Sequence, residues 1–158
     1  MLKSILAVVA GYAVMFVFYF AVFTGVYIAL GADRAFRPDS YEISTLWLVI
    51  SIIVTLGGAV VGGFFCAAIS KSVRTCQVFA FIVFLAGILL CLPALMRDDE
   101  SPHVRAGEVP NMEAMKLAVT PNWMHLLSPV LGAAGVLLGA RIRIRPSSHD
   151  AMGRAVEQ

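Results

Sequence analysis

Four polar side chains near the middle of the sequence include groups that hold metal ions in proteins. Asp98, Asp99 and Glu100 supply carboxylates, and His103 supplies an imidazole. Carboxylate oxygens bind Ca²⁺ and Mg²⁺, imidazole binds Zn²⁺, and proteins arrange each ligand set at recurring spacings. The spacing here matches none of those arrangements. We therefore interpret these residues as part of a solvated acidic loop, and we expect neither a metal site nor a cofactor.

His125 is a second group that could do chemistry. It follows Asn122 and Trp123 at the start of an apolar segment, a position typical of an interfacial histidine bonded to backbone or water. The alternative is a ligand or catalytic residue of a membrane-embedded enzyme that works at the outer face. The apolar segments lack the paired nucleophile and base that a membrane hydrolase requires. We therefore favour a protein that is not an enzyme and assign no catalytic residue.

Polar side chains inside the apolar segments could line a ligand site or a solute path. Ser51 and Thr55 lie in the second segment, and Ser128 lies in the fourth. The middle of each segment contains no Asp, Glu, Lys or Arg, which argues against a proton-coupled carrier or an ion pump. A small transporter or channel subunit, active as an oligomer, remains the alternative to a structural role.

Three cysteines, Cys66, Cys76 and Cys91, fall within or beside apolar runs. Their odd number and the lack of a CxxC spacing argue against a disulfide framework and against a zinc site. We interpret them as small buried hydrophobic residues.

The composition indicates a membrane protein. Of the 158 residues, 59% are hydrophobic and 14% are charged, whereas a soluble domain carries about 25% charge. A helix of roughly 20 apolar residues crosses a bilayer. Segments of that length lie at about 5–30, 43–70, 76–96 and 123–144. The sequence therefore predicts an all-α fold, an integral membrane bundle of four transmembrane helices within residues 1–145.

Two polar stretches accompany the bundle. Residues 97–120 form the predicted outer loop, with a short surface helix over Met112–Val119. Residues 146–158 form the predicted disordered cytoplasmic tail. The net charge of +2 is too small to indicate a nucleic-acid partner.

Glycines at helical spacing predict where the helices touch, because small residues allow two membrane helices to approach closely. The predicted packing glycines are Gly11, Gly25, Gly58, Gly62, Gly132, Gly135 and Gly139. We expect spans two and four to be in direct contact through Gly58, Gly62, Gly135 and Gly139. The rival interpretation is that one of these faces packs on a second copy of the chain.

Two further features of the spans matter for packing. An aromatic stripe runs along span one and is interpreted as packing or lipid-facing, with the wall of a ligand groove as the alternative. Its members are Tyr12, Phe16, Tyr19, Phe23 and Tyr27. In span four, Pro129 has no N–H, so the carbonyl of His125 needs another hydrogen-bond partner.

Basic residues crowd the helix ends and the shortest loop on the side that holds both termini, which predicts that both termini are cytoplasmic. The predicted lipid-headgroup anchors are Trp47, Trp123, Arg141, Arg143 and Arg145.

The stretches Tyr41–Trp47 and Asn122–Arg141 resemble those of small uncharacterised four-span proteins of bacterial inner membranes. The resemblance implies an inner-membrane location and four spans, and it implies no activity. The function we expect is that of a non-enzymatic structural or interaction component that acts through helix–helix or lipid contacts. Its partners are then the lipid bilayer and either a second copy of the chain or another membrane protein.

Overall fold

The computed structural model describes residues 2–38, 40–96 and 118–144. Within these ranges the chain is helical with no strand, and four helices are long and apolar enough to cross a membrane. The helices are α1 (Leu2–Leu30), the short α2 (Ala32–Ala35), α3 (Thr45–Ser70), α4 (Val73–Leu95) and α5 (Asn122–Ile144). The predicted all-α, four-span fold is confirmed. The acidic run at 98–103, most of the predicted surface helix and the tail at 146–158 lie outside the described residues.

Local chemistry sets both ends of α3. The Ser44 hydroxyl accepts a hydrogen bond from the backbone N–H of Trp47 at 3.2 Å, which is the capping arrangement expected where a helix begins. At the other end Lys71 has a φ of 51°, in the left-handed region, and its N–H donates to the carbonyl of Ala67. Only Lys71 and Ser72 separate α3 from α4, so the two helices run in opposite directions.

The third helix is central to the bundle. It packs along most of its length against α5 and against α1, and α4 packs mainly against α5. The carbonyl oxygens of Gly11 and Gly62 lie 2.9 and 3.0 Å from the position that a Cβ on the other residue would occupy. Further along, the Tyr19 hydroxyl donates to the carbonyl of Thr55 at 2.8 Å. These contacts show that α1 is antiparallel to α3.

The contacts between α3 and α5 show that these two helices are parallel. Gly135 faces Ala59, and Gly139 faces Val60 and Phe64, so residue numbers rise together along both helices. The direct contact that the sequence predicts between spans two and four is therefore made by two parallel helices.

The fourth helix joins the bundle at two levels. Gly87 faces Pro129 of α5, and near the start of α4 the Thr75 hydroxyl donates to the Ser4 hydroxyl of α1 at 3.3 Å. The bundle therefore follows the order α1, α3, α5, α4. The described chain ends, Leu2 and Ile144, lie at the same end of it; which side of the membrane that end faces stays a prediction.

Burial is inverted with respect to a soluble protein. The interior contains the fully buried Phe79, Val136, Cys66 and Cys76. Large apolar side chains cover the outside, with Ile28 exposed at 77%. Such a surface requires an apolar solvent, and lipid chains supply one.

Candidate functional site

A small cap closes the end of the bundle opposite Leu2. Phe36 forms an antiparallel β-bridge with Ile43, and Glu42 forms a parallel bridge with Val119. The N–H of Val119 donates to the carbonyl of Tyr41 at 2.9 Å. Val119 was predicted to end a surface helix, and that prediction is wrong for this residue. Pairing with the first loop satisfies its N–H through the Tyr41 carbonyl, whereas an isolated helix of about two turns is marginal in water.

Polar contacts tie the first loop together. The Ser44 hydroxyl donates to the carbonyl of Arg34 at 2.7 Å. Arg37 and Glu42 form a salt bridge with an N···O distance of 2.6 Å, between side chains that are 58% and 41% exposed. Because such an exposed pair contributes little to stability, the backbone pairing and the buried residues hold the cap.

An apolar cavity of about 70 Å³ lies beneath the cap. Its walls are Tyr27, Ala35, Phe36, Ile43, Trp47 and Ala118. Pockets for drug-sized ligands measure roughly 300–1,000 Å³, so this cavity can admit only a small apolar group.

The two tryptophans occupy different surroundings. Trp47 is half-buried, with its ring centroid 5.8 Å from that of Tyr27 and 6.1 Å from that of Phe23. Trp123 is 52% exposed. Trp47 therefore packs inward between α1 and α3, and of the two only Trp123 has the exposure of a headgroup anchor.

The aromatic stripe of α1 divides into two parts. Tyr12 and Phe16 are exposed, while Tyr19 packs its ring against Gly58 of α3. A Cβ added at Gly58 would overlap that ring. The glycine therefore makes room for an aromatic side chain. The second part of the stripe, Tyr19, Phe23 and Tyr27, packs against α3.

The polar residues predicted to line a ligand site lie on two helices, α3 and α5. The Ser128 hydroxyl donates to the carbonyl of Met124 in its own helix at 2.8 Å. Ser51 and Thr55 are half-buried on α3, and the carbonyl of Thr55 accepts from Tyr19. The walls of the cavity beneath the cap include none of Ser51, Thr55 and Ser128.

His125 contributes its backbone to the interior. Its carbonyl, which Pro129 leaves without an intrahelical donor, accepts a hydrogen bond from the Cys91 thiol of α4 at 3.0 Å. A Cβ on Gly87, one turn from Cys91, would lie 2.9 Å from the Pro129 ring. Gly87 thus leaves room for the ring of Pro129, and Cys91 supplies the hydrogen bond that the carbonyl of His125 lacks within its own helix. Sequence reasoning identified the free carbonyl but missed both partners.

The predicted packing glycines serve three interfaces. Gly11, Gly58 and Gly62 lie between α1 and α3, where Gly62 meets Met15. Gly135 and Gly139 lie between α5 and α3. The prediction that Gly58 and Gly62 face span four, which is α5, is wrong, because both glycines face α1.

Gly63 meets span four instead: a Cβ there would overlap the backbone of Val136. The pair Gly62-Gly63 could have predicted this arrangement. Neighbouring residues of a helix point about 100° apart, so the two glycines can pack against two different helices.

The two remaining predicted glycines differ from each other. Gly132 lies against the Val83 side chain of α4, which a Cβ would approach to 3.1 Å. Gly25 is exposed, and nothing lies within 4 Å of the position of its missing Cβ. The structure therefore places Gly132 at a helix contact and leaves Gly25 on the outer surface.

The end of the bundle that holds Leu2 and Ile144 is cationic. Lys3, Lys71, Arg74, Arg141 and Arg143 are all exposed there, and we call these five side chains the basic end. The guanidinium of Arg143 lies 5.9 Å from the ring centroid of Phe64, at cation–π distance. The third predicted arginine anchor, Arg145, lies outside the described residues.

Among the described residues, no group of three or more His, Cys, Asp and Glu side chains could hold a metal ion. No protein-family model, curated protein or solved structure matches the chain. Four apolar helices make the chain a multi-pass membrane protein.

Proposed function

We propose that the chain is a non-enzymatic component of the bacterial inner membrane, which acts through helix–helix or lipid contacts. The observation that carries this proposal is the closeness of the helices at their glycines. Gly62 touches the backbone of α1, Gly63 touches the backbone of α5, and Gly139 of α5 touches the backbone of α3. A solute path along these seams would require the helices to separate.

The outward surface supports an interaction role. Exposed apolar side chains run along the whole of α1, from Leu2 to Ile28. Lipid chains, a second copy of the chain or another membrane protein can each cover such a surface.

Reconstitution into liposomes tests the proposal against a transporter or channel. We expect the flux of small ions and of small neutral solutes to equal that of empty liposomes at every protein-to-lipid ratio. Flux that rises with the square or a higher power of the protein content, and that Ser51→Leu blocks, would instead establish an oligomeric pore.

A second experiment identifies what covers α1. A photo-crosslinking residue in place of the exposed Phe16 would capture its neighbours in native membranes, and one in place of the buried Phe79 serves as the matched control. We expect the label at Phe16 to capture lipid or a protein partner. Intramolecular products from position 16, with none to lipid or protein, would contradict an outward interaction surface.

A further inference from the structure

The charges of the bundle are segregated between its two ends. The five cations of the basic end lie at the ends of α1, α3, α4 and α5. In the described part of the chain the acidic residues are Asp33 and Glu42, both in the connection between α1 and α3 at the opposite end. The basic end therefore presents positive charge with no described carboxylate beside it.

Two of the cations come from the starts of α1 and α4, which a hydrogen bond joins. The hydrogen bond from the Thr75 hydroxyl to the Ser4 hydroxyl, at 3.3 Å, joins the first turn of α4 to the first turn of α1. Arg74 and Lys3 are the residues directly before these two. The same contact that packs the helix ends thus brings an ammonium and a guanidinium to one edge of the bundle.

A second pair lies across α3. Arg143 rests over the ring of Phe64, which restrains its guanidinium without neutralising it. Lys71 is the C-cap of the same helix, seven residues after Phe64 in the sequence, and its side chain is exposed. Arg143 and Lys71 therefore both lie near the C-terminal end of α3.

The chain's own tail is a poor source of counter-charge. Beyond Ile144 the sequence contains two carboxylates, Asp150 and Glu157, and two cations, Arg145 and Arg154. Because these side-chain charges balance, this stretch adds no net negative charge that could neutralise the basic end.

We infer that the basic end binds the phosphodiester groups of anionic phospholipids, one lipid between Lys3 and Arg74 and another between Lys71 and Arg143. The inference rests on the proposed membrane function. A guanidinium presents paired N–H donors that match two phosphate oxygens, and an ammonium adds a point charge. Glycerol-linked phosphate lies at this depth in the bilayer, and each basic residue near an anionic surface contributes about fivefold in affinity.

Competition between two lipids with identical acyl chains tests the inference. The full chain in micelles is titrated with phosphatidylglycerol and phosphatidylcholine, and the bound lipids are counted by native mass spectrometry. We expect a preference for phosphatidylglycerol that falls about fivefold in Arg74→Gln and again in Arg74→Gln/Arg143→Gln. Arg34→Gln, at the opposite end, is the matched control and should keep the full preference.

Salt provides a measurement that does not depend on variants. If a variant does not fold, about 0.5 M NaCl should suppress the preference of the unmodified chain by screening exposed charges. Equal binding of the two lipids, or an equal loss in Arg34→Gln, would overturn the inference, as would displacement of phosphatidylglycerol by millimolar inorganic phosphate or an acidic peptide. Liposome flux reports separately on the proposed function, so the two can fail independently.

Discussion

The thiol of Cys91 lies 3.0 Å from the carbonyl oxygen of His125 and donates a hydrogen bond to it across the interface between α4 and α5. Pro129 creates the need for this bond, because it cannot supply the N–H that would otherwise reach His125. Cys91→Ala should therefore lower the free energy of unfolding by about 0.6–1.7 kcal/mol, the range for hydrogen bonds between membrane helices. Unfolding in mixed micelles, followed by circular dichroism, measures the change.

Two further variants separate the hydrogen bond from simple packing. Cys91→Ser keeps a donor and should retain most of the stability. In a Pro129→Ala background the helix regains its own N–H, so Cys91→Ala should cost less than in the unmodified chain. If the cost is equal in both backgrounds, the thiol acts only by filling space.

The seam between α3 and α5 is expected to tolerate no added methyl group. A Cβ on Gly139 would overlap the carbonyl oxygen of Val60, and backbone cannot move aside as a flexible side chain does. Gly139→Ala should lower the free energy of unfolding by about 1–3 kcal/mol, the usual cost of overpacking. Gly25→Ala is the matched control: nothing lies within 4 Å of its added atom, so its stability should be unchanged or slightly higher.

The hydroxyl of Tyr19 supplies a bond between α1 and α3, and its removal should be measurable. Tyr19→Phe keeps the ring against Gly58 and deletes only the donor to the Thr55 carbonyl. We expect a loss of roughly 0.6 kcal/mol. Tyr12→Phe on the exposed face of the same helix should have no effect, and an equal loss there would point to a change in the micelle and not in the interface.

How much of this arrangement could be read from the sequence depends on the range of each interaction. Long apolar runs predict four helices because a helix satisfies its own backbone hydrogen bonds in lipid, which needs no knowledge of neighbours. The free carbonyl of His125 follows from Pro129 for the same reason. Its partner Cys91 could not be predicted, because it lies on another helix and a thiol in an apolar run is most often a small hydrophobic residue.

The glycine interfaces show the same limit. Spacing places Gly58 and Gly62 on one face of α3, but it does not say which helix covers that face. The prediction that α5 covers this face is wrong. Instead α5 packs on a second face of α3, which Gly63 and Ala59 form. Gly25 was predicted to pack like Gly11, yet it lies on the outer side of α1, where nothing is within 4 Å of the position of its missing Cβ.

The left-handed conformation of Lys71 predicts a stabilising substitution. A side chain at a φ of 51° is strained, and glycine removes that strain at roughly 1 kcal/mol. Lys71→Gly should therefore raise the temperature of unfolding in micelles, and Lys71→Ala, which removes the same charge, should not. A rise in both variants would attribute the effect to charge instead of backbone.

The threading of the chain predicts opposite accessibility for the two ends. A cysteine in place of Arg141 should react with a membrane-impermeant maleimide only after inverted vesicles are prepared, and one in place of Arg37 should react in intact cells. Cys66 and Cys76 are buried and serve as unlabelled background. Labelling of position 37 from the cytosol would reverse the orientation proposed from the positive-inside rule.

The position of α3 has a consequence for biogenesis. The first two long helices form one antiparallel hairpin, the last two form another, and Lys71 and Ser72 are the only link between them. The first hairpin has all of its internal contacts once the ribosome has released Ser70, so it can assemble before the second emerges. Packing of α3 against α5 is then the last step of assembly. A substitution that disrupts only this interface would leave two inserted, folded hairpins, which quality-control proteases could recognise.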